Sequence, residues 1–152
     1  MPSRLIVLNE WLLHDLRGDN GRDFQSQSFE FLQALIQKPD RIAVLRASPW
    51  VTKAYNLMKH HDPLVLEIAK LLHKGILLDL SKCLQLNRHD LIPLPVALQH
   101  IELKEDKYLF DLCHSANADL IVTSDTRLIE KVALIEEIRL ALRQEFLSEY
   151  LA

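Results

Sequence analysis

Apolar residues fall into two rhythms along this chain, short unbroken runs and stretches at helical spacing, and the two alternate. Leu5-Ile6-Val7-Leu8, Ile42-Ala43-Val44-Leu45 and Leu120-Ile121-Val122 are continuous runs of the kind a parallel sheet buries on both faces. Ile76-Leu77-Leu78 reads as a further short strand. Between these runs lie amphipathic stretches. Trp11, Leu12, Leu13 and Leu16 precede Gly18, and Phe29, Leu32, Leu35 and Ile36 precede Pro39-Asp40. Pro49 suits the first turn of a helix through Trp50, Ala54, Tyr55 and Met58, and another helix spans Leu64 to His73. Tyr108, Leu109, Leu112, Cys113 and Ala116 mark the helix before the Leu120 strand, and Thr126 to Val132 a short one after it.

Two regions are less regular. Pro93 and Pro95 forbid a long element between Asp79 and His100, so that region reads as loop with short helical pieces, although Leu84 and Leu86 alternate. The tail from Ile135 to Ala152 suits one amphipathic helix; a strand at Ile138 to Leu142 with a helix from Gln144 suits it too. Periodicity leaves both open. Strands alternating with helices imply right-handed crossovers. The fold class expected is α/β, a single three-layer α/β/α domain over residues 1–152 with a mostly parallel central sheet.

Composition narrows the function classes. The chain has 152 residues, 49% of them hydrophobic, enough for one sizeable core. A net charge of −3 gives no overall basic field for nucleic acid or an anionic membrane, although a local basic patch remains compatible with it. With three glycines there is neither a P-loop nor a GxGxxG turn. Cys83 and Cys113 lie far apart with no CxxC spacing, which points to reduced, buried thiols. A zinc site made from them and the scattered histidines would lack any recognisable motif. The opening apolar run is too short to span a membrane and lacks a signal-peptide cleavage pattern, so the expected setting is cytoplasmic.

Polar groups collect where strands end or helices begin: Asn9 and Glu10, Glu105 and Asp106, and Ser124 and Asp125. In open α/β sheets ligands bind outside the carboxyl ends of the strands. Carboxylates crowded there repel one another unless a proton or cation neutralises them, and Mg²⁺ or Mn²⁺ is the natural oxygen-bound occupant. Read singly, Asp106 and Asp125 better suit helix N-caps, and Glu10 a solvated position; their joint placement is what points to a cation. Arg22, Arg46, Lys53 and Lys59, with Ser48 after the second strand, are candidate phosphate contacts, the alternative being a solvated surface.

The segment EDKYLFDLCHSANADLIVTSD resembles the second half of a PIN domain. Asp106 opens a helix, Ala118-Asp119 precedes a strand, and Thr123-Ser124-Asp125 closes it. RLIVLNEWLLHDL is similar to the family's first strand, and QEFLSEYL to a common ending. The resemblance implies a Mg²⁺- or Mn²⁺-dependent endoribonuclease acting on single-stranded RNA and, since many of that family are toxins, an antitoxin protein as its partner. It assigns Asp106 and Asp125 to metal binding and Ser124 to the polar position beside the last acid. Homodimers are common in that family, and Trp11, Trp50 and Phe110 would offer an apolar interface. Two departures stand out. Asn9 occupies the first-strand position where the family has Asp, and its amide is a poorer cation ligand, with Glu10 the neighbouring substitute. The stretch Ser48 to Lys59 holds no acid at all, and Glu67, on the following helix, is the nearest candidate downstream.

Overall fold

The computed structural model describes residues 3–152. Among them the chain alternates as the sequence pattern predicts. β1 (Leu5–Leu8) leads through α1 (Trp11–Arg17) and α2 (Arg22–Gln37) to β2 (Arg41–Leu45). Next come α3 (Pro49–Leu57), α4 (Pro63–Leu72) and β3 (Cys83–Leu86), then a short α5 (Val96–Gln99). The last part is α6 (Lys107–Ala116), β4 (Leu120–Thr123), α7 (Thr126–Val132), β5 (Leu140–Leu142) and α8 (Arg143–Tyr150). Every strand pairing is parallel, in the order β3-β2-β1-β4-β5.

Alternation along the strands sorts the core into two layers. Ile6, Leu8, Ile42, Val44, Leu120 and Val122 face one way, onto α1 to α4 and α8. Leu5, Val7, Ala43, Leu45 and Ile121 face the other, onto α5, α6 and α7. This is the expected three-layer α/β/α sandwich. The two thiols fall on opposite faces of the sheet, Cys83 in the first layer and Cys113 in the second, so they cannot share a zinc ion. Burial pushes both up to about 12.

Three expectations are corrected. Ile76-Leu77-Leu78 is not a strand: a π-helical turn at His73–Leu77 continues α4, with Ile76 and Leu77 inward and Leu78 69% exposed. Gly75 belongs to that turn, where a Cβ would lie 2.7 Å from Ile36 Cδ1. The strand comes instead from Cys83–Leu86, inside the region that reads as loop. It is an edge strand, paired only to β2, so it lacks the long apolar run of a central one. In the tail, the strand-then-helix alternative is correct, because β5 pairs with β4 at Ile121–Leu140 and Thr123–Leu142. Trp11, Trp50 and Phe110 are 5%, 3% and 0% exposed and cannot form the suggested dimer interface.

Aspartates latch the amino ends of the strands. Asp119 accepts from the Leu5 amide at 2.7 Å, and Asp40 accepts from the Arg4 amide at 2.7 Å and the Tyr150 hydroxyl at 2.8 Å. The Ala118-Asp119 pair is therefore structural, at the edge away from the candidate site.

Candidate acidic site at the sheet switch point

Strand order reverses at β1. The chain builds outward from β1 to β2 and β3, then returns to place β4 on the other side. Loops leaving β1 and β4 thus diverge above the sheet, which opens a crevice between their carboxyl ends. Asn9 follows β1 and Asp125 follows β4, so the topology brings the two to the same crevice.

Hydrogen bonds fix the floor of this crevice. The Asn9 amide N–H donates to the Val122 carbonyl at 2.9 Å. Its side-chain Nδ2 donates to Thr123 Oγ1 at 3.1 Å, and its Oδ1 accepts from the Glu10 amide at 2.6 Å. Thr123 Oγ1 also accepts from the Asp125 amide at 3.1 Å. Thr123 is fully buried and ties the two strand ends together.

The two acids named from sequence behave differently. Asp125 is the N-cap of α7, its Oδ1 accepting from the Arg127 amide at 2.9 Å and the Leu128 amide at 3.3 Å. The capping reading therefore holds for it, and its second oxygen carries no such bond. Asp106 precedes α6 but its side chain makes no capping bond. Burial pushes the Asp106 carboxyl above its ordinary value, and the charges of Glu105 and Asp125 push the same way. The Asn9 amide pulls back, and Glu10 adds a smaller push. Asp106, Asp125 and the adjacent pair Asn9 and Glu10, from three distant places in the sequence, thus share one local field. Ser124 lies exposed beside Asp125.

Glu10 is held elsewhere. One carboxylate oxygen takes the Lys53 ammonium, and the other accepts from the Tyr108 hydroxyl at 2.7 Å. Burial pushes Glu10 up, but the Lys53 and Tyr108 bonds outweigh it and hold the group below its ordinary value. Glu10 therefore pins α1, α3 and α6 together. Tyr108, which sequence periodicity places only on an apolar helix face, is the site residue that was not foreseen. No local signal marks it, because its partner is 98 positions away.

The phosphate-contact candidates separate in the same way. Lys53 neighbours the acidic site and approaches His14 Nε2 at 3.3 Å. Arg46 is exposed but donates to Gln85 Oε1 at 2.9 Å, on the β3 edge. Ser48 is corrected: it is 1% exposed, and its hydroxyl caps α3 by accepting from the Val51 amide at 3.3 Å.

Donors for a divalent cation are few but suitable. Mg²⁺ is commonly held by one or two carboxylates with water and substrate phosphate completing its shell. Asp106, uncapped and with a raised proton affinity, and the unbonded oxygen of Asp125 fit that pattern. Among the described residues there is no cluster of three His, Cys, Asp or Glu side chains arranged around a metal position. No helix among them is long and apolar enough to cross a membrane. Comparison with known proteins matched the chain to no family model, no curated protein and no solved structure.

Proposed function

We propose that this chain is a Mg²⁺- or Mn²⁺-dependent endoribonuclease of PIN type, acting on single-stranded RNA through a partly degenerate acidic site. The observation that carries the reading is the uncapped Asp106 carboxyl, crowded by Asp125, Glu105 and Glu10 at the switch point of a parallel sheet. A group so placed gains from a cation what it loses to repulsion. Asp106 and Asp125 would hold the ion, with the Asn9 carbonyl oxygen as a weaker neighbour. A bound cation supplies charge neutralisation and an activated water for phosphodiester hydrolysis, leaving a 3′-hydroxyl and a 5′-phosphate. The rest falls to the protein. Thr123 and Asn9 set the spacing of the strand ends, Glu10 holds Lys53 beside the acids, and Ser124 offers an exposed hydroxyl for water or phosphate. An antitoxin partner and a cytoplasmic setting belong to the same proposal.

A second reading, a PIN-like module that binds RNA or protein without cutting, is favoured by one observation. Asn9 brings no charge and its amide is already engaged at both ends, by Thr123 and by the Glu10 amide. Cleavage of a labelled single-stranded RNA with Mn²⁺, against an EDTA control, separates the two when the chain is run beside Asn9→Asp. The Thr123 hydroxyl can reverse and donate to a carboxylate, so the variant should fold. Cleavage by both proteins, or by the variant alone, supports a nuclease site. If neither cuts any substrate in Mn²⁺, the nuclease proposal fails and the binding module stands.

A further inference from the structure

A second cluster of charge lies beside the acidic crevice, on the far side of Lys53. A cleft of about 200 Å³ between α1 and the end of α3 is lined by His14, Arg17, Lys53, Lys59, His60 and His61 over a floor of Leu13 and Leu57. Three cationic side chains and three imidazoles converge there in a protein of net charge −3. Two carboxylates face them: Asp19 pairs with Arg17, Nε to Oδ1 at 3.0 Å, and Glu10 pairs with Lys53. Lys59 has no ion-pair partner among the described residues, so the cleft keeps an uncompensated fixed cation. His60 Nδ1 accepts from the Asp62 amide at 3.0 Å, and its ring stacks on His61 with centroids 4.6 Å apart. The imidazoles are thus held in place, and the apolar floor strengthens the field above it.

We propose that this cleft binds a phosphate group. Its size suits one phosphate, and its donors are nitrogen-based, several of them without a protein acceptor. Lys53 is shared between this cleft and Glu10, so a phosphate held here lies next to the acidic crevice. Resting on the nuclease reading, the phosphate is one of the substrate strand, either a terminal phosphomonoester or a backbone phosphodiester.

The test is binding, without cleavage, of the full chain in EDTA. A labelled single-stranded RNA is titrated with either a 5′-phosphate or a 5′-hydroxyl end, and inorganic phosphate serves as competitor. Lys59→Gln is the probe variant, since the side chain is exposed and has no ion pair among the described residues, and exposed Lys74→Gln is the control outside the cleft. Lys59→Gln should weaken binding about tenfold and flatten the salt dependence by about 0.7 in log–log slope, as expected for one lost contact on a single strand. Lys74→Gln should change affinity less than about twofold. A loss seen only with the 5′-phosphate identifies a terminal phosphate; an equal loss with both ends identifies the backbone. If Lys59→Gln binds like the parent, or Lys74→Gln weakens binding as much, the cleft is not a phosphate site. Phosphate binding without any cleavage in Mn²⁺ would leave this inference standing and remove the nuclease reading. Cleavage and binding unchanged by Lys59→Gln would do the reverse.

Discussion

Removing the carboxylate of Asp15 tests how the α1 side of the site is anchored. Asp15 and Arg143 are 1% and 3% exposed and pair at 2.8 Å, Oδ2 to Nε, between α1 and the start of α8. Ser28 Oγ donates to the same oxygen at 2.8 Å and Asn20 Nδ2 to the other at 2.7 Å, so the carboxylate is fully satisfied. The guanidinium lies 4.2 Å over the Phe24 ring and donates to Gln144 Oε1 at 2.8 Å. Asp15→Ala leaves that cation buried without its partner. Breaking a buried pair on one side costs about 3–5 kcal/mol, a large part of the roughly 5–15 kcal/mol that holds a domain together. At about 2–4 °C per kcal/mol for a chain of this size, the melting temperature should fall by about 6–20 °C. The assay is urea unfolding followed by circular dichroism, with and without 1 M NaCl; a buried pair is screened little, so the loss should persist in salt. The double variant Asp15→Leu, Arg143→Met should recover most of it, because an apolar replacement leaves no charge stranded. A loss below about 1 kcal/mol for Asp15→Ala, or a double variant no more stable than the single, would mean that the pair does not anchor α1.

Other outcomes are expected from the site itself. On the nuclease proposal, Asp125→Asn should abolish Mn²⁺-dependent cleavage while unfolding normally, since Asn caps a helix as well as Asp; Asp125→Ala should lose about 1 kcal/mol more in the same unfolding curve. Asp106 has a folded value raised above its ordinary 3.8, so its stabilising contribution is complete below that pH and is lost as pH rises through the folded value. Asp106→Asn, locked in the neutral form, should therefore raise the melting temperature in EDTA at pH 7, with the gain vanishing in acid; equal gains at both pH values would contradict the crowding. Ala47 and Lys104 hold φ of 58° and 53°, and each sits at the rim of the carboxyl edge. Replacing either by glycine should stabilise the fold by up to about 1 kcal/mol in urea unfolding, by relieving left-handed strain. Both cysteines should resist a thiol reagent at pH 8 until denaturant is added, because burial keeps the thiolates scarce.

The residue pattern alone marks the central strands, because β1, β2 and β4 are buried on both faces and must be continuously apolar. The amphipathic helices were legible for the related reason that each buries one face. It also marked Asn9, Asp106 and Asp125 as polar groups at element ends, which parallel topology then carries to one edge. The rest depends on long-range contacts. β3 and β5 flank the sheet, where pairing to a neighbour rather than hydrophobicity makes the strand, so no local pattern separates them from loop or helix. Ile76-Leu77 was apolar enough for a strand but stayed helical because its buried neighbours lie on the α4 face. Lys53, Asn9 and Arg143 reach Glu10, Thr123 and Asp15 from 43, 114 and 128 positions away, and these side chains look locally like ordinary surface or core residues. Chain periodicity reports which face a residue takes, and it contains no term for which distant side chain that face will meet.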